Sequence, residues 1–119
     1  MKTILLIEDE KNILLVYSKL LKKAGYRVLT ADNGIKGLEI AQESKPDLII
    51  LDLLIPKLDG LVILETLKEE ENTTDIPVVI ISANSNQNSI ENGLKAGAEN
   101  YLVKPISRNE LLLEIKKHI

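Results

Sequence analysis

The chain has 119 residues, the length of one domain, and at 45% hydrophobic with no Phe or Trp its core must be built from Leu, Ile, Val and Ala. The absence of cysteine excludes a disulfide scaffold, cysteine-ligated zinc and thiol catalysis. A formal net charge of −3 argues against a surface for nucleic acid or an anionic membrane.

Met1-Lys2-Thr3-Ile4 passes directly into a strand pattern with no room for a signal peptide. No apolar run approaches the roughly 18 residues of a membrane helix, so a cytoplasmic protein is expected. The first strand, Ile4 to Ile7, runs into Glu8-Asp9. A helix from about Lys11 to Ala24 follows, with Ile13, Val16, Tyr17, Leu20, Leu21 and Ala24 at three- and four-residue spacing and a stop at Gly25. Within it Ile13-Leu14-Leu15-Val16 sweeps about 300° at about 100° per residue. One face cannot bury all four, so at least one is expected at the surface.

The second strand is Val28 to Ala31, and the second helix, about Gly34 to Ser44, is opened by Asp32-Asn33 and closed before Pro46. The third strand, Leu48 to Leu51, is apolar throughout and leads into Asp52. The third helix follows the turn signal Asp59-Gly60 and carries Leu61, Leu64 and Leu67. A fourth strand, Pro77 to Ser82, precedes a helix from about Gln87 to Ala96 that stops at Gly97. A fifth, Tyr101 to Val103, runs into Lys104-Pro105, and the last helix is expected to begin after Ser107 and run to the terminus through Leu111, Leu112 and Ile115.

Strands without polar alternation are covered on both faces, and strict βα alternation implies a parallel sheet between two helical layers. In the common five-strand order, 2-1-3-4-5, the chain reverses between strands one and three, and ligands bind there beyond the carboxyl ends. Glu8 and Asp9 end strand one and Asp52 ends strand three. A carboxylate among apolar neighbours needs a partner, and Lys104 at the end of strand five can supply one. Carboxylates within about 4 Å repel by roughly 4 kcal/mol per pair at an effective dielectric of about 20, so the cluster is expected to raise its own carboxyl pKa values.

Mg²⁺ resolves that conflict, since it takes oxygen ligands and keeps several waters. Lys104 offers a point charge for a phosphoryl oxygen, and Ser82 a hydroxyl at the same edge. Asp52 is then a nucleophile able to form an acyl phosphate. The single histidine, His118, lies one residue from the end of the sequence, which speaks against a histidine-based triad. No glycine-rich phosphate loop follows strand one. Each residue also has an ordinary reading: Glu8 and Asp9 as caps of the first helix, Ser82-Ala83 as a strand end, Lys104-Pro105 as a turn, Tyr101 as core. The combination, one polar residue at the end of each of several strands, is what points to a site.

Ile7-Glu8-Asp9-Glu10, Leu51-Asp52-Leu53 with Pro56 and Asp59-Gly60, Ile81-Ser82-Ala83, and Tyr101-Leu102-Val103-Lys104-Pro105 with Gly97-Ala98 before them resemble, in order and spacing, the receiver domain of two-component response regulators. The resemblance covers residues 1–119 as one domain. It implies a doubly wound, flavodoxin-like (βα)5 sandwich of the α/β class. It implies that Asp52 is the phosphoacceptor, that Glu8, Asp9, Asp52 and the Leu54 backbone carbonyl serve Mg²⁺, and that Lys104 contacts the phosphoryl group ahead of Pro105 on a cis peptide. Ser82 and Tyr101 would form the switch pair, Tyr101 turning inward on phosphorylation and reshaping the surface of the last two helices and strand five. Glu8 stands where Asp is commoner. Leu54 and Asn84 stand at positions that affect dephosphorylation in such domains.

The implied partners are a sensor histidine kinase or histidine phosphotransfer domain, docking on the first helix, and a downstream output protein or an output domain outside this sequence. The implied chemistry is only the chain's own phosphoryl transfer and its slow reversal by water. Two other readings compete. A small Mg²⁺-dependent phosphohydrolase with an aspartyl nucleophile would want a second acid two residues beyond Asp52, where Leu54 stands, and a cap over its substrate. A receiver that is never phosphorylated, serving as an interaction module, would not need Glu8, Asp9, Asp52, Ser82 and Lys104 together.

Overall fold

The computed structural model describes residues 1–55 and 58–119. Pro56, one of the motif residues, lies outside them. Strands β1 (Thr3–Ile7), β2 (Arg27–Ala31), β3 (Leu48–Asp52), β4 (Val78–Ser82) and β5 (Asn100–Val103) alternate with helices α1 (Lys11–Lys23), α2 (Gly34–Ser44), α3 (Gly60–Glu69), α4 (Gln87–Lys95) and α5 (Arg108–Lys116). The strands form one parallel sheet in the order β2-β1-β3-β4-β5. The expected flavodoxin-like architecture is therefore the observed one.

Side chains of the strands alternate between two cores. Leu5, Ile7, Ile49, Leu51, Val78 and Ile80 face one side and are covered by α2, α3 and α4, through Ala41, Ile63, Leu64, Leu67 and Ile90. Ile4, Leu6, Leu48, Ile50, Val79 and Ile81 face the other and are covered by Leu21 of α1 and Leu111 and Ile115 of α5. The unbroken apolar runs in the sequence have this cause: both faces of the central strands are dry.

Local signals set the ends of the helices. Asn33, Asp59, Asn86 and Ser107 each accept a backbone N–H at the start of α2, α3, α4 and α5, and Ser107 with Glu110 closes a capping box. Gly25 and Gly97, past the ends of α1 and α4, take φ of +101° and +114°, a region that glycine enters without strain. Lys45 ends α2 at φ +45° without being glycine. The last helix stops at Lys116, short of the end of the sequence. Among the described residues no helix is long and apolar enough to cross a membrane.

Candidate functional site

The chain reversal between β1 and β3 brings Glu8 and Asp52 side by side. Register pairs Ile7 with Leu51, so the residues that follow them emerge together at the carboxyl edge of the sheet. Both are buried, while Asp9 is exposed at the mouth. Carboxylate oxygens of Glu8, Asp9 and Asp52 lie within 4.8 Å of one another. Lys104 Nζ reaches across from beyond β5 and donates to Glu8 Oε1 at 2.8 Å and to Asp52 Oδ2 at 2.9 Å. The other Asp52 oxygen accepts the Leu54 backbone N–H at 2.9 Å, and Glu8 Oε2 accepts that of Glu10 at 3.2 Å. The Lys104-Pro105 peptide is cis, as the resemblance implied.

Burial pushes the Glu8 carboxyl above its ordinary range. Hydrogen bonds from Lys104 and the Glu10 amide offset part of that, and the charge of Asp52 adds to it. The expected rise is thus present at Glu8, but desolvation rather than mutual repulsion leads it. Burial acts to lower the Lys104 ammonium, and its hydrogen bonds to Asp52 and Glu8, with their charges, more than offset this and hold it above its usual value.

Neither Glu8 nor Asp9 occupies the cap position of α1; Glu10 does, without a capping hydrogen bond from its own side chain, and of the backbone amides there Glu8 reaches only that of Glu10. Ser82, the last residue of β4, is fully buried, and its hydroxyl accepts the Asn84 backbone N–H at 3.1 Å. Tyr101 is core as well as candidate switch. Its ring is already turned inward, and its hydroxyl donates to the Asn84 carbonyl at 2.7 Å and lies 3.2 Å from the Ser89 hydroxyl. Leu54 projects its side chain into solvent. Between the β3–α3 and β4–α4 connections opens a polar cleft of about 460 Å³ lined by Ser82, Asp59 and four asparagines, Asn84, Asn86, Asn88 and Asn92.

On α1 the surplus of apolar residues resolves as the helical sweep requires. Ile13 and Leu14 are half-buried, whereas Leu15 and Val16 are 54% and 60% exposed. Val16 borders a cleft of about 400 Å³ between α1 and the start of α5, with Tyr17, Leu20 and Ile106 in its wall and Lys19, Lys23 and Arg108 around it.

Two side chains, Ser89 and Glu114, make tertiary contacts that had no signal in the sequence. Ser89 meets Tyr101 only because α4 crosses β5, and spacing does not report that. Glu114, buried on α5, accepts hydrogen bonds from Asn100 at 2.9 Å and Lys117 at 3.3 Å and pairs with His118 at 2.8 Å. Burial works to raise its pKa, and the contacts with His118, Asn100 and Lys117 outweigh burial and hold it below the ordinary value.

The family model for the response regulator receiver domain matches residues 4–116. The DNA-binding dual master transcriptional regulator RpaA of Synechocystis is 40% identical over 98% of this chain and 48% of its own length. The phosphate regulon transcriptional regulatory protein PhoB of Pseudomonas aeruginosa is 36% identical over 97% and 50%. The chain thus spans about half the length of these relatives. Among solved structures, chemotaxis protein CheY4 of Vibrio cholerae superposes with a TM-score of 0.94 at 27% identity, covering 100% of this chain and 99% of that one. The receiver domain of the sensor histidine kinase PA1611 of P. aeruginosa, solved with a magnesium ion in its active site cleft, gives 0.91 at 33% identity over 98% and 96%. The chain belongs to the receiver domain family of two-component response regulators, which are phosphorylatable signalling modules rather than conventional enzymes.

Proposed function

We propose that the chain takes a phosphoryl group on Asp52 from a phosphohistidine of a sensor kinase or phosphotransfer domain, in the presence of Mg²⁺, and passes the state on through its α4–β5–α5 surface. The observation that carries this is the Asp52 carboxylate, buried at the end of an apolar strand yet held 2.9 Å from the Lys104 ammonium and beside two further carboxylates. An Asp52 oxygen attacks phosphorus, the bond from phosphorus to the donor's imidazole nitrogen breaks, and that nitrogen keeps the electron pair. Lys104 steadies an equatorial phosphoryl oxygen with its point charge. The buried Ser82 hydroxyl, at the end of the neighbouring strand, donates to another. A hydroxyl drawn to the phosphoryl group releases the Asn84 amide it now accepts, and the Asn84 carbonyl holds Tyr101.

The donor set fits a hard divalent cation: three carboxylates against one ammonium, all oxygen ligands. Glu8, Asp9, Asp52 and the Leu54 backbone carbonyl would hold it. Bound magnesium supplies positive charge for the phosphoryl oxygens as charge spreads over them. The exposed Leu15 and Val16 are the docking positions for the donor's histidine-bearing helix. The donor and the output partner are cytoplasmic in this reading, as is the chain.

Intact-mass measurement after incubation with acetyl phosphate tests the chemistry. One phosphoryl group is expected with Mg²⁺, and none in EDTA or in Asp52→Asn. Full labelling in EDTA, or unchanged labelling of Asp52→Asn, overturns it.

A further inference from the structure

Helix α4 rests on the molecule through a glycine. Gly93 is its only buried residue. A Cβ at that position would lie 2.7 Å from Ile80 Cδ1 and 3.2 and 3.6 Å from Tyr101 Cδ2 and Cε2. Ser89, one helical turn earlier on the same face, places its hydroxyl 3.2 Å from the Tyr101 hydroxyl. The helix therefore grips the ring at two points, at the phenol tip with Ser89 and along the ring edge with the notch that Gly93 leaves. Glycine within a helix is disfavoured relative to alanine, so its place inside α4, in the last turn, answers a need for space.

We infer that Gly93 is a positioning residue that admits the Tyr101 ring beneath α4, and so sets the balance between the inward ring and an outward one. The inference rests on the reading of Ser82 and Tyr101 as the switch pair for its signalling consequence, but its geometry stands apart from that reading. With the notch open, the ring fills the space between α4 and β5 and its hydroxyl reaches the Asn84 carbonyl at 2.7 Å. With the notch filled by a methyl group, α4 and the ring compete for the same volume. Ile80 can yield at its terminal methyl. The ring edge must give by a few tenths of an ångström, and because its hydroxyl is tied to Asn84 and Ser89 that displacement costs the inward rotamer and favours the outward one.

The test uses 3-fluorotyrosine incorporated at Tyr17, Tyr26 and Tyr101, the three tyrosines, with Tyr101→Phe identifying the Tyr101 resonance. Spectra are taken with and without beryllofluoride and Mg²⁺. In Gly93→Ala the ratio of inward to outward ring should fall about tenfold, the scale expected when one methyl overpacks a site. The resonance should gain the solvent isotope shift of an exposed ring. Alanine favours the helix, so α4 remains formed. The double variant Gly93→Ala/Ile80→Val removes the methyl contact and keeps the ring contact, so the ring should still be expelled. A ring that stays buried in Gly93→Ala, or that returns to burial in the double variant, overturns the inference. If the wild-type ring ignores beryllofluoride while Gly93→Ala still expels it, the switch reading fails and the notch stands. If the wild-type ring responds and Gly93→Ala keeps it buried, the notch alone fails.

Discussion

Replacing Lys104 with methionine removes the cation that bridges Glu8 and Asp52 and leaves a stem of similar length. Its ammonium stands 2.8 Å from one carboxylate and 2.9 Å from the other. At an effective dielectric of about 20 each contact attracts by about 6 kcal/mol. The two carboxylates, with oxygens within 4.8 Å, repel by at least about 3.5 kcal/mol on the same basis. Desolvation at several kcal/mol per ion consumes most of the difference, and deleting one partner of a buried pair typically costs about 3–5 kcal/mol. Lys104 is 18% exposed, so water screens part of the interaction and the lower end applies, about 3 kcal/mol. With a urea slope of about 2 kcal/mol/M, the unfolding midpoint of Lys104→Met in EDTA should fall by about 1.5 M. Mg²⁺ should restore more stability to the variant than it adds to the wild type, because the variant's carboxylates have no other counter-charge. Urea titrations of both proteins in EDTA and in Mg²⁺ measure this directly. An unchanged midpoint in EDTA, or an equal magnesium gain in both proteins, refutes the view that Lys104 neutralises the site.

Val16→Asp should leave stability within about 0.5 kcal/mol, since the side chain is 60% exposed. It should slow phosphotransfer from a kinase while labelling by acetyl phosphate proceeds, and equal loss in both assays would mark a folding defect. Gly60→Ala should destabilise by about 2–3 kcal/mol, because its Cβ would stand 2.5 Å from the Leu53 Cα and backbone cannot give way as a side chain can; thermal denaturation reads this. Glu114 has a lowered pKa in the folded chain, so its ionised form contributes stability above its unfolded value, and the contribution disappears as pH falls through the folded one. Glu114→Gln should therefore be less stable than wild type by about 1–2 kcal/mol at pH 7, with the difference shrinking in urea titrations as pH falls below the ordinary carboxyl range.

The sheet was legible because burial on both faces writes itself as uninterrupted apolar runs, and the starts of α2, α3, α4 and α5 carry a capping residue while α1 and α4 end at a glycine. Asp52 was legible for the opposite reason: a charge directly after Leu48-Ile49-Ile50-Leu51 has no place in a core unless something answers it, and Lys104 does. The reach of Lys104 to Glu8 as well follows from the β1–β3 reversal and was implied by the strand order. What the residues could not show was set by crossings between elements. The seat of Tyr101 depends on the angle at which α4 lies over β5, so neither Ser89 nor the inward ring could be inferred from spacing. The expected inward turn of Tyr101 starts, in this structure, from a ring already inside. Nothing in the sequence sets Glu114 apart as a buried acid on the last helix. Its burial depends on Asn100 one strand away.

Locating the phosphoryl group on the chain tests the central claim most directly. After incubation with acetyl phosphate and Mg²⁺, reduction of the acyl phosphate with deuterated borohydride converts the modified aspartate to labelled homoserine, and peptide sequencing by mass spectrometry places it. Label confined to position 52 is the predicted result. Label at Asp9 or Glu8, spread over several carboxylates, or absent from a protein that is folded and magnesium-loaded, would contradict the account.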